Sequence, residues 1–271
     1  MKFANLVLVV LFLLATPISV SAGHGELCSD KVKSDIRFTP DEIAKGGVSV
    51  WGFSRHSENE NLSVVSENSR AVIRVNYPKG SYDPGSMNRL GLPRGGANFL
   101  LAFPDSGYRC VMLQYRVRFP AGFDFVKGGK LPGLYGGGAN SGGRIPNGRD
   151  GFSIRFLWKE GGVGAVYAYL PNSVSWGSAL ALGRWVFKTD VWTDVRLVLA
   201  LNEPGRNDGS IEVVIDGQSV YLDRSVKFRD VPELKVDGVF FSTFFGGNKS
   251  DFATPVSTYV EFSDFLVSAY R

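Results

Sequence analysis

The sequence predicts an all-β fold, a β-jelly-roll sandwich of two antiparallel sheets, and three observations carry that prediction. Val111, Leu113, Tyr115, Val117 and Phe119 alternate with Met112, Gln114, Arg116 and Arg118, the period-two pattern of a strand with one apolar and one polar face. Ile211-Glu212-Val213-Val214-Ile215 and Ser219-Val220-Tyr221-Leu222 flank Asp216-Gly217, residues that tolerate the positive φ of a tight hairpin turn. The 33 Gly and 13 Pro suit many short strands joined by tight loops.

In chain order, Met1 and Lys2 precede an apolar run from Leu6 to Leu14 that ends at the small residues Val20-Ser21-Ala22, the layout of a signal peptide. Residues 1–22 are therefore expected to be a cleaved leader and residues 23–271 a single domain of a secreted, extracellular protein. No later stretch approaches about 20 apolar residues, so no membrane anchor is expected. The formal net charge is +4, to which Lys2 contributes one. That mild balance permits an anionic partner, but it lacks the dense basic patch that nucleic acid would require.

Cys28 and Cys110 are the two cysteines, and an even count in an exported chain predicts a disulfide tying the N-terminal segment to an interior strand. Such a bond excludes a thiol nucleophile. With only His24 and His56 beside the cysteines there is no metal-ligand spacing, and neither a metal nor an organic cofactor is expected. His56 reads as a surface residue near a strand end, with an accessory role in an active site as the alternative. Sequons stand at Asn61-Leu62-Ser63 and Asn248-Lys249-Ser250.

Thr39-Pro40-Asp41-Glu42 is the only decent helix signal, and it fades within two turns. Everything after it reads as strands. Lys127 to Asp150 is dense in glycine and nearly free of apolar periodicity, which predicts a long functional loop. Phe152, Ile154 and Phe156 then alternate with Ser153 and Arg155. A strand pair near Val239 to Phe245 and Thr258 to Ala269 closes the chain. No internal repeat, charge block or linker marks a domain boundary.

Tyr167 and Tyr169 sit two apart, so in a strand both hydroxyls leave one face, as do Ser153 and Arg155 on the strand before. Lys159-Glu160-Gly161-Gly162 reads as the turn between them, which makes the two strands a hairpin with a shared polar surface. One reading is that the tyrosines pack across strands while the arginine covers them. The other is β-elimination on a uronic acid. That reaction needs a base for the C5 proton, a cation that neutralises the carboxylate and an acid for the departing O4. Tyrosine can act as acid or base if nearby cations lower its pKa, and Arg155 or Lys130 can supply the field. Glycoside hydrolysis would need two facing carboxylates, and Asp150, Glu160, Asp190 and Glu212 form no such pair. Phosphate-binding glycine motifs and a GxSxG elbow are absent from the sequence.

Gly128-Gly129-Lys130-Leu131-Pro132-Gly133-Leu134, Gly151-Phe152-Ser153-Ile154-Arg155-Phe156 and Tyr167-Ala168-Tyr169-Leu170-Pro171 together resemble the alginate lyases and related enzymes of polysaccharide lyase family 14. Tyr77-Pro78-Lys79-Gly80-Ser81 and Arg94-Gly95-Gly96 extend the resemblance over most of the chain. It implies a jelly roll that cleaves an acidic polysaccharide, alginate first and β-1,4-glucuronan second, to 4,5-unsaturated uronate ends. It also implies catalytic roles for Lys130, Arg155, Tyr167 and Tyr169. The tyrosines would transfer protons, the two cations would bind and neutralise the carboxylate, and Lys130 is the alternative base. Ser153, Arg94, Gln114, Arg144 and Arg149 are the expected substrate-binding residues. A non-catalytic carbohydrate-binding jelly roll for acidic glycans is the alternative function, and a monomer is the expected state.

Overall fold

The computed structural model describes residue 28 and residues 34–44, 60–104 and 107–270. The expected leader, His24 and His56 lie outside the described residues. In chain order the strands are β1 (Ser34–Arg37), β2 (Leu62–Glu67), β3 (Arg70–Tyr77), β4 (Ala97–Ala102), β5 (Cys110–Arg118), β6 (Gly128–Gly137) and β7 (Gly151–Lys159). They continue as β8 (Gly164–Tyr169), β9 (Ser178–Leu180), β10 (Trp192–Ala200), β11 (Gly209–Ile215), β12 (Gln218–Val226), β13 (Gly238–Phe245) and β14 (Thr258–Tyr270). One sheet has the order β12-β11-β10-β5-β14-β3-β2 with β1 also paired to β14, and the other β4-β13-β6-β7-β8-β9. The pairings within both sheets are antiparallel, which is the expected sandwich.

Alternation decides which face of each strand enters the core. Val111, Leu113, Tyr115 and Val117 of β5 are fully buried against Ile154, Phe156, Val166 and Phe241 of the second sheet, while Gln114, Arg116 and Arg118 face outward. Each large apolar side chain so removed from water contributes about 1.5–3 kcal/mol. Aromatic edges close the interior: Trp158 packs on Phe119, Phe123 and Phe245 with ring centroids 5.5, 6.1 and 5.4 Å apart. The β11–β12 hairpin turns at Asp216 (φ 49°) and Gly217 (φ 81°), the left-handed pair that the Asp-Gly signal requires. Cys28 and Cys110 form a buried disulfide that fastens the N-terminal segment to the start of β5. Among the described residues no helix is long and apolar enough to cross a membrane.

Three local expectations are corrected. Lys127–Asp150 is not one long loop, because Gly128–Gly137 forms β6, an interior strand of the second sheet. Its glycines are spaces for neighbours: a Cβ on Gly129 would lie 1.9 Å from the Trp158 ring, and one on Gly136 2.0 Å from the Lys235 carbonyl. The strands at Val239–Phe245 and Thr258–Ala269 both exist but do not pair, since β13 lies between β4 and β6 while β14 lies in the other sheet. Helix α1 (Pro40–Ala44) is present, and a second helix, α2 (Pro84–Leu90), is present too. Asp83 caps α2 through the Ser86 N–H, Pro84 begins it, and Gly91 ends it in the left-handed conformation.

Candidate active site

A cleft of about 480 Å³ opens on the outer face of the second sheet. Adjacent strands lay its floor: Lys130 on β6, Arg155 on β7, Tyr167 and Tyr169 on β8, with Phe240 and Phe244 on β13. Strand register sets the rows. Arg155 lies opposite Tyr167 and Ser153 opposite Tyr169, as the hairpin reading expects. Lys130 joins them because β6 is bulged. Lys130 pairs with Leu157 and Gly133 with Arg155, so Leu131 and Pro132 oppose the single residue Phe156. The bulge puts both Lys130 and Gly133 on the cleft side. The Pro132 carbonyl within it accepts the Tyr115 hydroxyl from the opposite sheet at 2.9 Å.

Gly133 also leaves room for Arg155. With no side chain at its neighbour on β6, the Arg155 guanidinium reaches over to β13, where Nη1 donates to Ser242 Oγ at 3.0 Å and the group stacks 4.6 Å from the Phe240 ring centroid. Arg155 is 3% exposed, and its Nε has no hydrogen-bond partner. Among the described residues no carboxylate lies within ion-pair distance of it. Burial pulls its pKa down to about 10, which leaves it a cation at neutral pH. A buried guanidinium without a counter-ion is an unsatisfied charge, and it is shaped for a carboxylate.

Lys130 extends its ammonium 4.3 Å from the Tyr167 ring centroid, and it too lacks a paired carboxylate among the described residues. Burial, then the charges of Arg155 and Lys159, lower its pKa to about 7, with Asp83 opposing them. A substantial neutral fraction follows at neutral pH. The tyrosine rings meet edge to face at 5.2 Å, and their hydroxyls lie 3.5 Å apart. Gly143, on the connection after β6, donates its N–H to the Tyr169 hydroxyl at 3.0 Å. The expected lowering of tyrosine pKa by cations fails at Tyr167: burial, then the Tyr169 hydrogen bond, raise it, and the pull of Arg155 is smaller.

The expected binding residues divide. Ser153 is fully buried and donates to the Asn140 carbonyl at 2.5 Å, so it anchors the loop that carries Gly143. The structure does not bring Arg94, Gln114, Arg144 or Arg149 to the cleft lining. Gln114 points away from the core on the other sheet and donates to Asp194 at 2.8 Å. Arg94 is ion-paired with Glu60 at 2.8 Å. Arg144 bonds Asn140 and sits 3.9 Å from Asp150, and Arg149 is exposed on the same loop. Conversely, the cleft includes Asp83, Asn88, Asn98, Lys159, Trp176, Phe240, Phe244 and Asn248, none of which the sequence reading assigned to substrate. Ser242, the partner of Arg155, was missed as well. The Asp83-Pro84 cap signal and Gly246-Gly247-Asn248 after an apolar strand were the available signs.

The family profile described as polysaccharide lyase 14 matches residues 65–265. The crystal structure of the marine PL-14 alginate lyase from Aplysia kurodai superposes with a TM-score of 0.74 at 26% identity, over 89% of this chain and 100% of that one. Alginate lyase vAL-1 from Chlorella virus gives 0.72 at 24% identity, over 89% and 100%. The endo-β-1,4-glucuronan lyase from the fungus Trichoderma reesei gives 0.55 at 13%, over 88% and 96%. The chain is also 22% identical over 243 residues to exolysin of Paramecium bursaria Chlorella virus 1. That match takes in 77% of this chain, which spans about a third of the viral protein's length (35%).

Proposed function

The chain belongs to the polysaccharide lyase 14 family, and on that premise we propose that it is a secreted enzyme cleaving a uronate polysaccharide by β-elimination, with alginate the first substrate and β-1,4-glucuronan the second. The observation that carries this reading is the buried Arg155 guanidinium, with no carboxylate beside it among the described residues and its Nε unsatisfied, next to a lysine whose pKa has fallen to about 7. Alginate leads because the structural relative at 26% identity is an alginate lyase. Export is supported by the disulfide, which persists in oxidising compartments.

In the proposed reaction Arg155 accepts the uronate carboxylate and disperses its charge, which makes the C5 proton acidic. Neutral Lys130 takes that proton. The electron pair from the C5–H bond becomes the C4–C5 double bond as the C4–O4 bond breaks, and Tyr169 gives its phenolic proton to O4. The Gly143 N–H already points at the Tyr169 oxygen and stabilises the phenolate that forms. The cycle closes when the Lys130 ammonium releases the C5 proton and the Tyr169 phenolate takes one up. The Tyr167 hydroxyl, 3.5 Å from that of Tyr169, can relay it by accepting one proton as it gives another, and so stays protonated. One product carries a new reducing end and the other a 4,5-unsaturated uronate.

The test is to add alginate or glucuronan to the purified protein and follow absorbance in the ultraviolet band of the unsaturated uronate. A rise with one polymer supports the reading and names the substrate. Reducing ends without that absorbance would mean hydrolysis, and binding with neither product would mean a carbohydrate-binding module.

A further inference from the structure

Trp176 stands on the rim of the cleft and is 51% exposed, in a protein that buries Trp158 completely and leaves Trp185 only 8% exposed. Its place on the cleft lining, not its exposure alone, singles this indole out. The turn that presents it is strained. Ser175 adopts φ 58°, and the Trp176 N–H bonds back to the Val174 carbonyl at 2.7 Å. Close contacts fix the turn beside Tyr169: a Cβ on Gly177 would lie 2.7 Å from the Tyr169 ring. A Cβ on Gly143 would lie 3.2 Å from the Trp176 indole, and Gly143 is the residue that donates to the Tyr169 hydroxyl. The indole is therefore held on Gly143, on the lining of the same cleft as the acid–base pair.

We propose that Trp176 is a stacking platform for a second pyranose ring of the same polysaccharide chain, adjoining the unit held by Arg155 and Lys130. The reading rests on the uronate substrate proposed above. A uronate ring has an apolar face of C–H bonds and a charged edge. A flat, half-exposed indole takes the face and leaves the carboxylate in water, so the platform accepts either epimer and supplies binding without chemistry.

The test pairs kinetics with binding. On the polymer, Trp176→Ala is expected to raise KM at least about tenfold while kcat falls less than about threefold, the signature of lost uniform binding. Trp176→Phe is expected to stay within about threefold of the native KM. Val174→Ala, in the same turn but off the cleft, is expected to match the native protein. A native KM in Trp176→Ala, or a fall in kcat with KM unchanged, overturns the platform; the second result would assign the turn to holding Tyr169 alone. In a Lys130→Ala background, titration with alginate and with glucuronan is expected to quench tryptophan fluorescence, and the quench is expected to vanish when Trp176→Ala is added. That arm needs no turnover. A quench dependent on Trp176, together with no unsaturated product from the native protein, keeps the platform and removes the elimination reading, whereas a quench insensitive to Trp176 removes the platform.

Discussion

At the scale of single residues, Lys130 shows what the site costs. A lysine whose folded pKa is about 7 instead of 10.5 opposes folding in full below pH 7, where both states carry the charge and only the folded one has desolvated it. The penalty fades as pH rises from about 7 toward 10.5, because the unfolded chain then holds the extra proton. Lys130→Met is therefore expected to melt at least about 3 °C above the native protein at pH 6, where each kcal/mol moves Tm by roughly 2–4 °C. The gap should narrow across that window, while lyase activity is abolished; an equal gap at pH 6 and pH 10 would contradict the assignment. Tyr169→Phe keeps the ring and loses the proton, so turnover is expected to fall by at least about a hundredfold with Tm nearly unchanged, checked by initial rates and thermal melts. Arg155, Tyr167 and Tyr169 were legible in the sequence because a period of two on both arms of a hairpin sets their face and row together. Lys130 was legible only through the resemblance, since the bulge that turns it into the cleft has no sequence period. Ser242 was not legible at all, because it meets Arg155 from 87 residues away through the pairing of β13 with β6.

At the scale of elements, β6 shows how composition can hide a strand. Five of its ten residues are glycine, which removes the apolar alternation by which strands are read, and a proline interrupts it. Pairing to β7 and β13 on both sides overrides that weak propensity. The glycine positions are then demands of the neighbours: a Cβ on Gly133 would lie 2.0 Å from the Ile154 carbonyl and 2.5 Å from the Arg155 Cα, both backbone atoms. Gly133→Ala is expected to cost about 1–3 kcal/mol by overpacking and to lower kcat/KM at least about tenfold by displacing Arg155, measured by melting and steady-state rates. Gly183→Ala is the contrast: its Cβ would meet nothing within 4 Å, so only the positive φ of 75° opposes it. That variant should keep native kcat/KM. The turn of the β11–β12 hairpin, by comparison, was readable to the residue, because it is local and Asp-Gly specifies it, whereas the arms run further than the alternation marks, to Gly209 and Val226.

At the scale of the whole molecule, the sandwich separates stability from chemistry: the disulfide fastens the first sheet, and the cleft lies on the outer face of the second. Cys28 and Cys110 are 82 residues apart in sequence, and a link of that span typically contributes about 2–4 kcal/mol. The Cys28→Ser, Cys110→Ser double variant is expected to melt roughly 5–15 °C lower and to keep native kcat and KM at 20 °C; a fall in kcat there would mean that the bond supports the cleft. The fold class was legible because alternation and turn chemistry recur along the chain, whereas sheet membership, as at β13 and β14, depends on pairings that no local pattern encodes. The same bond bears on manufacture, together with Asn248, which is exposed at the mouth of the cleft inside an Asn-Lys-Ser sequon. The other sequon is occupied by the fold, because the Asn61 amide donates to the Arg94 and Gly96 carbonyls, both at 3.1 Å. A yeast secretory route would oxidise the cysteines and also hang an oligosaccharide over the entrance. Bacterial periplasm oxidises without glycosylating, so material from it is expected to turn over polymer several-fold faster than yeast material, and Asn248→Gln should bring the two batches level.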